Sequence, residues 1–143
     1  MPCKTIMENT EQNFNVEQKE FQIIEDPSPV ELDKELVYLA NTMARLENVV
    51  AGYRKEKAIR EATLKRTKAI AVIKHKGDSP AEYRAAQIEL DPDYNTAKDR
   101  FQEISNVLTI AEGRLTGFNS QFVAVRKQAE LKKMEMQQLG GQP

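Results

Sequence analysis

Tryptophan is absent from this chain of 143 residues, aromatic side chains make up 6% of it, and there are just 6 glycines. A compact sheet draws on aromatic and β-branched residues, so this scarcity argues for helices. There is a single cysteine, Cys3, and a single histidine, His75. That supply excludes a disulfide framework, and it argues against a structural zinc site or a Cys/His catalytic pair within an ordered core. No run of about 18 apolar residues exists to span a membrane. Residues 1–11 lack the apolar stretch of a secretory signal, so the expected location is the cytoplasm.

Glu, Lys, Gln, Ala, Leu and Arg dominate instead, residues that lose little side-chain freedom in a helix. The length suits one domain. A net charge of −1 conceals segregation. Residues 1–53 carry 4 basic and 10 acidic side chains, residues 54–76 carry 9 and 2, residues 77–105 carry 3 and 7, and residues 106–143 carry 5 and 3. A block of +7 inside a near-neutral chain calls for an explanation.

Three helix starts divide the sequence. Ser28-Pro29-Val30-Glu31 and Ser79-Pro80-Ala81-Glu82 each place serine at the N-cap, proline at the first helical position and glutamate at N3. In this capping box the hydroxyl and carboxylate satisfy otherwise orphaned N–H groups. Asp91-Pro92-Asp93 is a third start, with Asp91 as cap and Asp93 near the positive end of the helix dipole. Lys74, Lys76 and Gly77 supply a stop, with cations in the last turn and then a residue tolerant of φ > 0. These signals predict a long helix over about 29–76, a short one over about 80–90 and a second long one over about 92–138. Residues 1–28 read as an acidic, mostly disordered arm, 29–139 as the helical domain and 140–143 as a frayed tail. Each long helix would reach roughly 70 Å.

The hydrophobic period supports both long helices. Leu32, Leu36, Leu39, Met43, Leu46, Val50 and Tyr53 recur at alternating steps of four and three. Ala97, Phe101, Ile104, Leu108, Ala111, Leu115, Phe118, Phe122, Val125 and Ala129 keep the same alternation. Such repeats predict coiled-coil-like packing. The expected fold is all-α, an elongated antiparallel helical hairpin assembling into a homo-oligomer. Val107, Ile110, Gly113, Gly117 and Ala124 fall off the main seam. Each of the two glycines costs about 1 kcal/mol against alanine in a helix interior. Their four-residue spacing would let another backbone approach, so Gly113, Gly117, Phe118 and Phe122 are candidates for an interface between copies. Simple tolerance of the two glycines is the alternative.

Within the basic block, Arg54, Lys57, Lys65, Lys68 and Lys76 share one helical face, interrupted by Glu61 and Val72. Lys57 and Arg60 stand where the apolar seam would continue, so the helix is expected to change there from a packing element to a basic one. Three explanations stay open. The block could track phosphates, since Lys and Arg release counterions from nucleic acid and bind it without regard to sequence. It could pair with the acidic segment 77–105, or it could be a solvated face. Only Tyr53 and Tyr83 offer rings nearby, so base-specific recognition is not expected. The apolar side is mostly alanine without Trp or Phe, which argues against a membrane surface. Arg54, Lys57, Lys65, Arg66, Lys68, Lys74 and Lys76 are the candidate nucleic-acid contacts, and His75 reads as a helix-end cation or phosphate contact. With no nucleophile–base pair, phosphate loop or ligand cluster, neither an enzyme nor a cofactor nor a metal is expected. An acidic-hydrophobic stretch (Phe14, Val16, Phe21, Ile23, Ile24) could dock on a partner protein or fold over the basic block of its own or a neighbouring chain.

The layout resembles the UvsY-type recombination mediators of bacteriophages over roughly residues 33–130. The likeness lies in a long first helix turning basic at Leu64-Lys65-Arg66, a Lys76-Gly77-Asp78 turn, an Asp-Pro-Asp-Tyr start at residues 91–94, and a long final helix carrying Arg126 and Lys127. Lys65 and, shifted by one position, Arg66 match the family's Leu-Lys-Ala-Arg stretch, where this chain has Leu-Lys-Arg-Thr. Residues 71–75 replace the tyrosines and additional glycines that some members carry in the following loop. The resemblance implies a ring-forming, non-catalytic protein that binds single-stranded DNA and helps load a RecA-like recombinase, partly by easing displacement of single-strand-binding protein. It also implies that the acidic arm contacts the recombinase or the single-strand-binding protein. The rival is a structural or chaperone-like hairpin, such as a prefoldin-like subunit or phage assembly factor, that holds protein rather than DNA.

Overall fold

A computed structural model describes residues 26–77 and 80–140. Among them the chain is helical: α1 spans Pro29–Lys74, α2 Ala81–Glu89 and α3 Pro92–Gly140. The acidic arm up to residue 25, Ser79 and the last three residues lie outside the described part.

The caps account for the starts. At Ser28 both arms of the capping box form: the Glu31 N–H donates to the serine Oγ (3.2 Å) and the Ser28 N–H to the glutamate Oε2 (2.8 Å). Asp91 caps α3, its Oδ1 accepting from the N–H groups of Asp93 and Tyr94, each at 3.1 Å. α2 differs from expectation. It begins at Ala81, and Pro80 stands just outside it in extended conformation, its carbonyl accepting from Arg84 N–H at 3.1 Å. The stop of α1 also differs. No glycine among the described residues has positive φ. The helix instead tightens, with Lys76 N–H bonded to the Ile73 carbonyl three residues back, and ends two residues earlier than the cation-glycine signal suggested.

The chain divides into two compact units. Among described residues, one comprises 26–50 and 110–140. Its core is Leu32, Leu39, Leu46 and Val50 from α1 with Ala111, Phe118, Val125 and Ala129 from α3, all seam positions. Leu36, Met43, Leu115 and Phe122 are half-buried beside them. Thr42, a fully buried position outside the apolar repeat, has its hydroxyl oxygen occupied by an Arg45 N–H at 3.3 Å. Ion pairs of Lys132 with Asp26 and Lys133 with Asp33 (3.4 Å) join the start of α1 to the late turns of α3, so the two segments run antiparallel in this unit.

The other unit comprises 51–109, with Tyr53, Ala71, Tyr94, Ala97, Ile104, Val107 and Leu108 buried. Val107, assigned from the sequence to a face off the seam, is core here. Lys57 with Phe101, Arg60 with Arg100 and Lys74 with Asp91 pair progressively later residues of α1 with earlier ones of α3 and then its cap, again antiparallel. α2 contributes no buried residue. It is held by Arg84, which donates to the Lys76 carbonyl (3.4 Å), and by the Glu89–Lys98 pair (2.9 Å), whose hydrogen bond raises the Lys98 pKa.

Candidate nucleic-acid interface

Everything in this site lies within unit 51–109. The second half of α1 continues the packing seam rather than abandoning it. Counting on from Tyr53 by four and three gives Lys57, Arg60, Leu64, Thr67, Ala71 and Lys74. Of these, Arg60 and Ala71 are buried, and Lys57, Leu64 and Thr67 are half-buried. Arg60 corrects the expectation of a seam break. Its side chain is 8% exposed, and its guanidinium donates to Glu56 Oε1 (3.0 Å) and the Arg100 carbonyl (2.8 Å), with Glu103 at 3.6 Å. The planar fork serves several acceptors at once, which lets a charged group occupy a core position. Lys57 is turned over the Phe101 ring, 5.8 Å from its centroid.

Asp91 organises the corner where α1, α2 and α3 meet. The buried carboxylate caps α3 with one oxygen and faces Lys74 Nζ (3.4 Å) and His75 Nε2 (3.6 Å) with the other. The Tyr94 N–H holds its pKa below the ordinary carboxylate value, helped by Lys74 and the Asp93 N–H against the opposing effect of burial. His75, half-buried at the end of α1, is thus set against Asp91. Among the described residues no group of three His, Cys, Asp or Glu could hold a metal. No helix among them is long and apolar enough to cross a membrane.

The remaining candidates divide by exposure. Arg54, Lys65, Arg66, Lys68 and Lys76 are exposed. Lys65 pairs with Glu61 at 3.5 Å, both well exposed, a contact of little energetic weight in water. Arg66, Lys68 and Lys76 make no ion pair among the described residues. Arg54, Lys65, Lys68 and Lys76 follow one face, the three within α1 spread over about 20 Å of helix, whereas Arg66 stands roughly 200° around the axis from Lys68. Lys57 and Lys74, grouped with them from the sequence, are engaged with Phe101 and Asp91.

The other side of α1 borders an open groove of about 490 Å³ against α3. Thr63, Thr67 and Thr96 line it, each hydroxyl donating to the carbonyl four residues back, at 3.1, 2.7 and 2.9 Å. Glu56 and Asp93 face it as well as Arg60 and Arg100, so it presents no single sign of charge to a phosphate backbone. Sequence reasoning missed Arg84, whose position beside the end of α1 depends on the turn between α1 and α2. The burial of Arg60 was accessible from the period alone, had charged residues been admitted to the count.

In the other unit, Gly113 and Gly117 are exposed, and a Cβ added at either would meet nothing within 4 Å. Ile110 and Ala124 are exposed on the same helix. Phe118 is buried in its own chain's core and Phe122 half-buried. No family model matches this chain, and no curated protein and no solved structure matches it either.

Proposed function

We propose that this protein binds single-stranded DNA along the exposed cationic face of α1, without catalysis, as a recombination mediator that helps a RecA-like recombinase displace single-strand-binding protein. The observation that supports the reading is the state of that face. Lys68 and Lys76 are exposed without ion pairs among the described residues, and Lys65 gives up little by leaving Glu61. Such cations are available to replace counterions on a phosphate backbone. A few contacts per chain bind weakly, and a ring-shaped homo-oligomer would multiply them. The face of α3 carrying Ile110, Gly113, Gly117 and Ala124 is the surface proposed for a second copy, and the host cytoplasm is the proposed setting.

The test is fluorescence anisotropy of labelled oligo-dT with increasing protein at several salt concentrations. Tight binding that weakens steeply with salt is expected. Changing Lys65 and Lys68 together to alanine should weaken binding to all sequences alike and flatten its salt dependence, and Arg66, on another side of the helix, should matter less. A sequence-selective loss, or no binding at low salt, refutes the reading. The second reading, a protein-holding hairpin, is favoured by the exposed Ile59, Ile70 and Ile73 on the opposite side of α1, which DNA binding leaves unused.

A further inference from the structure

The end of α1 and the inner side of α2 border an open cavity of about 270 Å³, which meets the cationic face at Lys76. Val72, Ala85 and Ile88 give it apolar walls, and among the described residues His75, Lys76 and Arg84 are the charged or titratable side chains lining it. The acidic residues of α2, Glu82 and Glu89, sit about a quarter turn away from the Ala81–Arg84–Ala85–Ile88 side, and Glu89 is paired with Lys98. Asp91, the acid facing His75, does not line the cavity and is occupied by Lys74 and two backbone N–H groups. Arg84 spends one N–H on the Lys76 carbonyl, which fixes the guanidinium beside the cavity, and it makes no ion pair among the described residues. Lys76, exposed, leads directly from the cationic face of α1 to this corner.

We infer that this corner cavity is a nucleotide subsite, in which Arg84 and Lys76 hold a phosphodiester of single-stranded DNA while the adjoining sugar and base rest on Val72, Ala85 and Ile88. The inference rests on the single-stranded DNA reading and adds to it a residue, Arg84, on a different helix. Lys76 and Arg84, with no acid among the described lining residues, favour an anion. An apolar wall beside them, with few hydrogen-bonding groups, accepts any base, in keeping with sequence-independent binding. The guanidinium fork can grip two phosphate oxygens, which a lysine at the same place cannot.

The experiment compares wild-type protein, Arg84→Gln, Lys76→Gln and Lys68→Gln for oligo-dT binding across a salt series, with helix content checked by circular dichroism. One lost phosphate contact lowers the magnitude of the salt slope by about 0.7, which corresponds to about fivefold in affinity at 0.1 M salt. Arg84→Gln and Lys76→Gln should each show this loss. If wild-type protein binds and Lys68→Gln weakens it while Arg84→Gln and Lys76→Gln do not, the subsite is refuted and the DNA reading stands. If wild-type protein does not bind oligo-dT at all, both fall. Lys76 also belongs to the cationic face, so Arg84 alone separates the subsite from that face, and Arg84→Met, which keeps the aliphatic stem, carries the test should Arg84→Gln fold poorly. A fluorescent peptide of residues 8–25 serves as the competing occupant. Its capture by wild-type protein, lost in Arg84→Gln with DNA affinity unchanged, would assign the cavity to an acidic peptide and overturn the inference.

Discussion

Replacing Arg60 by methionine tests the central feature of the 51–109 unit, a charged residue used as core. Methionine keeps most of the aliphatic volume, so the change removes the charge and its bonds with little cavity. The bond to the Arg100 carbonyl, at 2.8 Å, is the best formed. A hydrogen bond from a charged donor contributes about 1.5–3 kcal/mol. The carbonyl keeps its helical partner within α3, which places the loss toward the lower end. Glu56 and Glu103 have side chains 34% and 29% exposed, so water can take over much of Arg60's role and each pair adds at most about 1 kcal/mol. A destabilisation of about 2 kcal/mol follows, or about 7 °C in Tm for a chain of this length, using about 2.1 cal/mol/K of unfolding entropy per residue. Thermal melts by circular dichroism, run at matched protein concentration, measure it. Lys65→Gln, which removes an exposed pair, is the control and should change stability by less than about 0.5 kcal/mol. Arg60→Lys should recover only part of the loss, because an ammonium cannot span the same acceptors. A Tm for Arg60→Met within about 2 °C of wild type would refute the buried network and restore the view of Arg60 as a surface residue of the basic block.

Asp91→Asn keeps an oxygen for the N–H groups of Asp93 and Tyr94 but removes the charge facing Lys74 and His75. Because the folded-state pKa of Asp91 is depressed, its contribution is complete above the ordinary carboxylate value and is lost as pH falls through the lower folded value. Urea melts should therefore show a wild-type advantage over Asp91→Asn that is lost as pH falls below about 4, and an advantage that persists in full far below that pH contradicts the assignment. At Gly113 and Gly117, alanine should stabilise the helix by up to about 1 kcal/mol each, because nothing lies within 4 Å of the added methyl groups. Leucine at Gly117 should leave the chain folded yet reduce the mass seen by sedimentation; unchanged assembly removes this face from the proposed interface.

Much of the architecture followed from local rules. The serine box at Ser28 and the cap at Asp91 are short-range hydrogen-bonding devices, legible from residue types and spacing because their partners lie within three positions. The alternation of four and three likewise located the core, since helical geometry alone brings Leu32, Leu39 and Leu46, or Ile104, Ala111 and Phe118, to one side. Where the chain turns, local rules gave out. Pro80 stands outside α2 rather than in it, and α1 ends by a tightened turn rather than a left-handed glycine. Those choices depend on how the segments it joins are packed.

The basic block is where composition and structure part. By charge and spacing its cations looked alike, and seven of them formed one candidate set. Tertiary packing divides that set, because a cation's availability depends on what lies opposite it across the helix pair. Lys57 rests on Phe101 and Lys74 is turned to Asp91, while Lys68 and Lys76 stay exposed without ion pairs among the described residues; Arg60, outside the seven, is captured by α3. The sequence by itself determined that the chain would form long helices with a seam of known period, since propensity, capping and periodicity act over a few residues. Only the tertiary structure decided which charges are spent inside the protein and which face solvent, because an ion pair joins residues such as Arg60 and Glu103 that are far apart in the chain and adjacent only after folding.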